Sequence, residues 1–353
     1  MTAEAVGLEV ELSEVPAATS ALWATLVRQR RTEVFHSPTW AAVLADTYGF
    51  DVRARILHRG GSPEAGIAFV TLDDHLGRRH VTLPFSDFCD PLVDDDSQLR
   101  RLIDDHLSGP AAVTIKRRVT ETRSDSAELT EGARFAWHGI DVGGDIDAAW
   151  DRLDSGARRA IRKAQAAGIT VRAATSLDDL RSFFELHLAV RKYKYRLLSQ
   201  PWRFFESIWH RFLAPGEGVL LLAEVEGRVV GGVLFLTWGD TLYYKFNASD
   251  MDQLSVRPND VVLWEGMKWA NESGLSMVDL GVSDLDQPGL IRYKQKYASQ
   301  DGEVVVLRKP GAVRPGDAEA RALLGEVTRL FVDPSVPDAI TERAGDALYG
   351  FFT

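Results

Sequence analysis

The chain has one cysteine, Cys89, in 353 residues. An intramolecular disulfide is therefore excluded, and with it the class of small disulfide-stapled scaffolds. No apolar run approaches the roughly 18–20 residues that span a bilayer, and no basic segment followed by an apolar one opens the sequence. We expect a cytoplasmic protein without a transmembrane segment.

An excess of basic residues is also lacking. The chain has 41 Lys and Arg against 51 Asp and Glu, a formal net charge of −10. This balance argues against a protein that grips duplex DNA, so any contact with nucleic acid has to be local. The basic residues of the second part are clustered, within 152–172, 191–203 and 292–296. Each cluster is either a solvated face or a local anion-binding surface.

Several catalytic motifs are missing as well. The eight histidines form no H-E-x-x-H pair and have no cysteine partners, so we expect no metal site. No G-x-S-x-G, G-x-x-x-x-G-K-[ST] or G-x-G-x-x-G motif occurs in the sequence. Serine hydrolases, P-loop triphosphatases and doubly wound dinucleotide folds are therefore disfavoured.

What the sequence does contain is one order of predicted elements, present twice. The order is helix, strand, hairpin strand, strand, loop, helix, strand. The first copy comprises Thr39–Tyr48, Val52–His58, Ala65–Leu72, His80–Pro84, Ser97–Leu107 and Ala112–Lys116. The second copy comprises Pro201–Leu213, Gly218–Val225, Val229–Trp238, Thr241–Ala248, Asn259–Ser273 and Met277–Leu280. An internal duplication is the simplest account. We predict an α+β protein with two domains, residues 1–143 and 144–353, each a mostly antiparallel sheet flanked by helices.

A carboxylate between two aromatic residues is the first candidate for chemistry. Asp87 lies between Phe85 and Phe88 in a loop that follows a predicted strand. Such surroundings suit proton transfer or the binding of an ammonium group. The alternative is an aspartate that caps its own turn.

The segment Arg191–Arg196 combines cations with two phenols at the predicted end of a helix. It is suited to phosphate binding and base stacking, although helix C-termini attract cations in any case. Strand alternation predicts that Tyr244 and Phe246 share one face, where Tyr244 either packs in the core or presents its hydroxyl to a substrate. Lys294, beside Tyr293 and Tyr297, either stabilises an oxyanion or a phosphate, or is an exposed helix cation.

Taken together and in order, several segments resemble the FemABX family of aminoacyl-tRNA-dependent peptidyltransferases. The resemblance extends from Phe35 to Arg308. The segments that carry it are Ser37–Trp40, Leu83–Asp87, Ser155–Ala164 with Gly168, Val190–Lys192, Arg257–Asn259, Leu263–Trp264, Trp269–Ala270, Asp279–Gly281 and Gly289–Tyr297.

The resemblance implies two tandem GNAT-like domains. It also implies transfer of an amino acid from aminoacyl-tRNA to an amine of a cell-wall precursor or a small peptide-like natural product. The tRNA is then a co-substrate, and no other cofactor is expected. Lys294 matches the family's aromatic-Lys-x-x-aromatic motif and would stabilise the tetrahedral intermediate or the phosphate of the tRNA end. Asp87 matches an acidic position and is the second catalytic candidate.

The remaining site residues are implied in the same way. Candidates for substrate binding are Arg191, Tyr195, Tyr244, Tyr293 and His36, the last standing where the family has a lysine near the acceptor phosphates. Candidates for tRNA or phosphate binding are Arg158, Arg159, Arg162, Lys163, Lys192, Lys194, Arg292 and Lys296. The physical requirements agree, because aminolysis of an activated ester needs a positioned amine, an oxyanion stabiliser and a proton acceptor, without a metal or a covalent nucleophile.

Two alternatives remain. One is an acyl-CoA-dependent N-acyltransferase on the same scaffold, although Ser255–Asp260 lacks the glycines with which such enzymes usually bind pyrophosphate at a helix start. The other is a non-catalytic binding protein that retains the fold.

Overall fold

The computed structural model describes residues 9–119, 128–312 and 315–353. The chain forms two compact units. Unit 1 contains the chain up to Ala133 together with residues 304–317 and Thr353, and unit 2 contains residues 134–303 and 318–352. Each unit has its own hydrophobic core.

Unit 1 is built from three helices and six strands among its described residues. The helices are α1 (Ala21–Gln29), α2 (Pro38–Tyr48) and α3 (Asp96–Ser108), and the strands are β1 (Val10–Pro16), β2 (Val52–Arg59), β3 (Ser62–Asp74), β4 (Gly77–Val81), β5 (Ala112–Arg118) and the later part of β12 (Gln300–Lys309). Helix α2 begins where the sequence predicts: Ser37 caps it by accepting from the Trp40 backbone N–H, with Pro38 in the first turn. It ends at Gly49, whose positive φ suits glycine.

The strand order of unit 1 is β1-β2-β3-β4-β5-β12. All neighbours are antiparallel except β4 and β5, which are parallel and pair through Arg79–Val81 and Ala112–Thr114. One apolar core of this unit lies between helix α3 and the sheet, and includes Leu57, Ile67 and Leu102.

Unit 2 contains the remaining elements. Its helices are α4 (Ile146–Arg152), α5 (Ser155–Ala166), α6 (Leu177–Ala189), α7 (Trp202–Ile208), α8 (Pro258–Glu272), α9 (Pro288–Gln295), α10 (Asp317–Phe331) and α11 (Asp338–Leu348). Its strands are β6 (Thr130–Asp141), β7 (Thr170–Ala173), β8 (Gly218–Val225), β9 (Arg228–Trp238), β10 (Thr241–Ser249) and β11 (Met277–Asp284). Two π-helical turns, Val190–Lys194 and Trp209–Leu213, extend α6 and α7.

The strand order of unit 2, read from its other edge, is β7-β8-β9-β10-β11-β6. Again all neighbours are antiparallel except one pair, β10 and β11. Helices α5 and α8 pack together on one face of this sheet, and α6, α7 and α11 form a layer with β9 and β10 on the other. The two units therefore share one pairing scheme, as the repeated order of elements predicts.

The sixth strand of each unit comes from the other half of the chain. Strand β6 follows β5 in sequence but pairs with β11 in unit 2, and β12 follows β11 but pairs with β5 in unit 1. This exchange makes the units differ from the predicted domains, 1–143 and 144–353, because residues 134–143 belong to unit 2 and residues 304–317 to unit 1. The predicted fold class, mixed α and β with mostly antiparallel sheets, is confirmed.

One predicted strand face is wrong. In β10, Tyr244 pairs with Phe235 and Phe246 pairs with the adjacent Leu234, so Lys245 is an inserted bulge residue. The bulge breaks the alternation and places Tyr244 and Phe246 on opposite faces. Tyr244 packs against the core that includes α8, whereas Phe246 contacts His187 and other aromatic rings of α6 and α7.

Among the described residues, no helix is long and apolar enough to cross a membrane. Within the same ranges, no group of three or more His, Cys, Asp and Glu side chains is arranged to hold a metal ion.

Candidate active site

The parallel strands of unit 2 pair over a short distance only. Thr241–Tyr243 of β10 pair with Met277–Asp279 of β11, and the pairing ends there although both strands continue. Backbone groups of β11 beyond Asp279 are therefore available to other partners. Such a gap between parallel strands is where an α+β sheet can admit a ligand or a side chain.

A local turn of the backbone exposes two carbonyl groups in this gap. The Asp279 carboxylate accepts from the Gly281 N–H at 2.6 Å and from the Trp137 indole N–H at 2.9 Å. Gly281 has φ +64°, which glycine adopts readily, and the register of β11 with β6 is interrupted between Asp279 and Val282. The segment Asp279–Gly281 thus shapes the irregularity in β11.

Lys294 of α9 occupies this position. Its ammonium group donates to the Gly281 carbonyl at 3.2 Å and to the Val282 carbonyl at 2.9 Å, and the residue is 5% exposed. The interpretation of Lys294 as an exposed helix cation is therefore wrong. His138 of β6 is also buried, and its pKa is lowered by burial and by the nearby Lys294 charge. Its Nδ1 has no hydrogen-bond partner among the described residues.

Three tyrosines surround a buried carboxylate beside this lysine. Tyr297 donates to Asp260 Oδ1 at 2.6 Å, and the Tyr293 and Tyr297 ring centroids are 5.4 Å apart. Tyr244 packs edge-on against Phe235 and lies in the same cluster. Burial, and then the Asp260 charge, raise the pKa of Tyr244, so its hydroxyl stays protonated at neutral pH.

Asp260 owes its position to the start of α8. Arg257 adopts a left-handed conformation before the helix, Pro258 begins it, and Asp260 lies in its first turn. Asn259 is held by Asn247 at 2.8 Å and by Ser249, which ties the helix start to the end of β10. Burial raises the pKa of Asp260, while the hydrogen bond from Tyr297 acts in the opposite direction.

The segment after α6 makes more contacts within the protein than the sequence predicts. Lys192 is fully buried, and its ammonium group contacts Asp338 Oδ1 at 2.7 Å and the Val336 carbonyl at 2.5 Å. It therefore anchors α11, and the prediction that Lys192 binds phosphate is wrong. Arg191 is half-buried and donates through Nε to the Leu198 carbonyl at 3.0 Å. Tyr195 and Lys194 are exposed and contact each other.

The basic residues of α5 lie on its outer side. Arg159, Arg162 and Lys163 are exposed, and the Arg162 guanidinium lies 5.5 Å from the Trp150 ring centroid. Arg158 is half-buried and donates to the Asp151 carbonyl at 2.8 Å, which satisfies the end of α4. The remaining cations of the predicted phosphate set, Arg292 and Lys296, are exposed on and after α9.

Unit 1 holds the last two candidates. Asp87 is half-buried in the loop after β4, next to the sharp turn in which Phe85 takes φ +62°. His36 is buried, its Nδ1 accepts from the Glu33 N–H at 3.1 Å, and its Nε2 lies 2.8 Å from the Asp90 carbonyl. Both ring nitrogens are used inside the unit, so the prediction that His36 binds substrate is wrong.

Comparison with known proteins agrees with the fold. An acetyltransferase (GNAT) domain model matches residues 152–295. The crystal structure of FemX superimposes with a TM-score of 0.62 at 15% identity, covering 83% of this chain and 96% of FemX. The fold is FemABX-like. No curated protein matches the sequence.

Two other solved structures share the FemABX-like fold. L-PGS from Bacillus licheniformis has a TM-score of 0.52 at 13% identity and covers 89% of this chain and 97% of its own. A tandem GNAT protein from the clavulanic acid biosynthesis pathway has a TM-score of 0.50 at 12% identity and covers 86% of this chain and 100% of its own. At these identities the solved structures establish the fold alone.

Sequence reasoning missed three residues of this site. Asp260 looks like an ordinary acidic residue of a helix start, and Tyr297 is visible only as part of the motif around Lys294. His138 has no local signal, because β6 reaches unit 2 through the strand exchange. The aromatic-Lys-x-x-aromatic pattern was sufficient to find Lys294 but not its partners.

Proposed function

We propose that the protein is an aminoacyltransferase that moves an amino acid from aminoacyl-tRNA to the amine of a peptide-like acceptor. The acceptor nitrogen attacks the ester carbonyl, a C–N bond forms, and the C–O bond to the tRNA ribose breaks. The amine gives up one proton, and the ribose oxygen leaves as a hydroxyl by taking one. A cell-wall precursor and a small natural product both fit as acceptors.

The observation that carries the proposal is the buried Lys294 ammonium group at the irregular segment of β11. Two backbone carbonyls orient it, and its low exposure strengthens its field on a neighbouring charge. A preorganised cation of this kind suits the oxyanion that develops when an amine attacks an ester.

The start of α8 favours an aminoacyl donor over an acyl-CoA donor. A helix N-terminus binds pyrophosphate through free backbone N–H groups, usually with glycines in the preceding turn. Here the segment Ser255–Asp260 has no glycine, Pro258 lacks an N–H, and the Asp260 carboxylate lies in the first turn. A carboxylate at that place repels a pyrophosphate group.

The exposed cations supply a local surface for the acceptor end of a tRNA. We assign this role to Arg159, Arg162, Lys163, Lys194, Arg292 and Lys296, which are all exposed. Few phosphate contacts are needed if the protein holds only the terminal nucleotides, in keeping with the net charge of −10. Arg191, Tyr195 and Asp87 stay candidates for acceptor binding and proton transfer.

The experiment offers purified protein a pool of radiolabelled aminoacyl-tRNAs and, separately, labelled acetyl-CoA. Each donor is combined with a panel of amines that includes cell-wall precursors and small peptides. We expect ribonuclease-sensitive transfer from tRNA only, and the label identifies the amino acid. Transfer from acetyl-CoA alone would replace the proposal with the acyl-CoA alternative, and binding of amines without transfer from either donor would favour a binding protein.

Replacing Lys294 tests the carrying observation directly. Lys294→Met keeps most of the side-chain volume but removes the charge, and we expect turnover to fall by roughly 10²–10³-fold. Lys268→Met is the matched control, because Lys268 of α8 is only paired with Glu265 on the helix surface and should leave turnover unchanged. Equal turnover of the folded Lys294 variant and the control would remove Lys294 from the mechanism.

A further inference from the structure

The Asp260 carboxylate is buried without a hydrogen-bonded cation. The residue is 7% exposed, and its carboxylate accepts from the neutral phenol of Tyr297 and from its own backbone N–H. Buried charges in proteins are normally paired or neutralised, since desolvation is costly. The helix N-terminus offsets only part of this cost. Asp260 therefore has the surroundings of a carboxylate whose cationic partner is a ligand.

The walls around Asp260 are suited to such a cation. Tyr244, Tyr293 and Tyr297 present aromatic rings, whose faces attract an ammonium group. Tyr244 and Tyr293 are half-buried, so part of the cluster lies at the surface of unit 2. The Tyr293 hydroxyl is buried next to the Tyr297 hydroxyl and is a neutral acceptor near the carboxylate.

The positions of the positive and negative side chains in this cluster match one class of donor. Arg257 and Lys296 are exposed and lie near enough to Asp260 to favour its charged form. Cations at the rim and a carboxylate inside suit a molecule with a phosphate at one end and an ammonium group at the other. An aminoacyl ester of a nucleotide has this distribution, whereas an acyl-CoA has phosphates and a neutral acyl group.

We propose that Asp260, within the ring of Tyr244, Tyr293 and Tyr297, binds the α-ammonium group of the aminoacyl donor. The inference rests on the proposed function and adds the residue that recognises the donor. Asp260 binds and orients without entering a covalent step. Tyr293 and Lys294 are both on α9, so one helix carries a residue of the ammonium site and the residue proposed to stabilise the oxyanion.

The test uses stable donor analogues, 3′-aminoacylamido-3′-deoxyadenosine 5′-phosphates carrying glycine, alanine, serine, leucine and lysine. Each is paired with the analogue that lacks only the α-amino group. Calorimetry with the full-length protein measures both dissociation constants. We expect the protein to prefer the amino form by roughly 10–100-fold, the value of a charge-assisted hydrogen bond.

Two variants separate recognition from folding. Asp260→Asn keeps the shape and should abolish the preference, whereas Asp252→Asn, at an exposed position shortly before α8, should retain it. Thermal unfolding of each variant shows that it is folded.

The outcomes are separable from those of the transfer assay. Equal binding of amino and desamino forms by the unmodified protein, absence of binding, or a preserved preference in Asp260→Asn would each overturn the inference. If tRNA-dependent transfer is observed without a preference, the proposed function stands and the ammonium site falls. If the preference is observed without transfer, the ammonium site stands and the proposed function falls.

Discussion

At the scale of single residues, the buried ionisable groups of unit 2 differ in how their charge is compensated. Lys192 has a carboxylate and a carbonyl as partners, and although burial acts to lower its pKa, the contacts with Asp338 and Tyr193 raise it overall. His187 has only the Gln200 side chain, and burial together with Arg191 lowers its pKa to about 3, so it stays neutral. Asp260 has no hydrogen-bonded cation among the described residues, and Arg257 and Lys296 act on it only through their charge. This contrast is why we assign a ligand to Asp260 and a structural role to Lys192.

The neutral histidine pair of unit 1 is a second feature at this scale. His80 and His106 stack with ring centroids 3.9 Å apart, and His80 Nδ1 lies 2.8 Å from the Thr71 hydroxyl. Burial, then the His80 charge and the Arg55 charge, lower the pKa of His106 to about 4. They line a cavity of about 320 Å³ with Arg78 and Asp105. Protonation of both rings places two cations in contact.

We predict that this pair makes unit 1 sensitive to acid. The unfolded chain protonates His106 near pH 6.5 and the folded chain only near pH 4, so stability falls as the pH drops through this window. The His106→Phe variant keeps an aromatic ring but cannot titrate there. Its unfolding free energy should therefore fall by about 1 kcal/mol less than that of the unmodified protein between pH 7 and pH 5, after allowance for solvent screening.

Urea denaturation at the two pH values measures this difference. His75→Gln is the matched control, because His75 is exposed in the adjoining turn. Identical pH dependence of the His106 variant and the control would contradict the prediction.

At the scale of elements, the bulge in β10 determines which side chains reach the site. Period-two alternation assigned Tyr244 and Phe246 to one face, and the sequence offers no glycine or proline near Lys245 to announce an inserted residue. The bulge is visible only from the register with β9. Without it, Phe246 would enter the tyrosine cluster and Tyr244 or its neighbours would move. Strand positions were thus predictable from the sequence, whereas the faces they present were not.

The attachment of α11 is the second element-scale feature, and it depends on the π-helical turn after α6. That turn contains Lys192, whose ammonium group reaches the start of α11 at Asp338 and Val336. Arg181 of α6 holds the same helix through two bonds of 2.7 Å to Glu342. The Arg191–Arg196 cluster looked like one cationic surface in the sequence, but only part of it faces solvent.

We predict that Asp338→Asn lowers the unfolding free energy by about 1–3 kcal/mol, because Lys192 loses its charged partner while remaining buried. The matched control is Asp346→Asn on the same helix. Asp346 pairs with Arg203, and both side chains are about half exposed, so we expect a change of at most about 1 kcal/mol. Chemical denaturation of both variants provides the measurement, and equal effects would show that the Lys192 pair contributes no more than a surface ion pair.

At the scale of the whole molecule, the repeat was predictable and the strand exchange was not. Periodicity and turn residues indicate strands and helices, and the repeated order follows from them. Pairing partners are set by tertiary contacts, so nothing in the sequence of β6 or β12 says in which unit it lies. Prediction of the site residues was limited for the same reason. Lys294 was found from a motif, whereas His138 was missed because it lies on an exchanged strand.

The exchange predicts how unit 1 can be completed on its own. Arg118, at the end of β5, pairs with Val304 near the start of the paired part of β12, in antiparallel register. A tight Asn-Gly hairpin can therefore join them. We expect a chimera of residues 1–118, Asn-Gly and residues 304–312 to fold cooperatively, and residues 1–118 alone to remain unfolded or aggregate.

Circular dichroism and thermal unfolding of the chimera and of residues 1–118 measure the effect. A chimera with the order of residues 304–309 scrambled is the control, because it has the same composition but not the apolar alternation that packs Val305 and Leu307 into the core. Cooperative unfolding of residues 1–118 alone would show that the sixth strand is dispensable.

The exchange also sets an order of events on the ribosome. Strand β5 is complete once residue 118 has been translated, but the strand that pairs with its edge begins that pairing at residue 304. Translation of the chain between them takes on the order of 10–40 s at the usual speed of synthesis. Throughout that time the nascent chain carries an unpaired strand edge, which is a template for mispairing with other chains. The sheet of the first unit to be translated is thus completed after the sheet of the second, and its yield in the cell depends on how well that edge is shielded while the second sheet is being made.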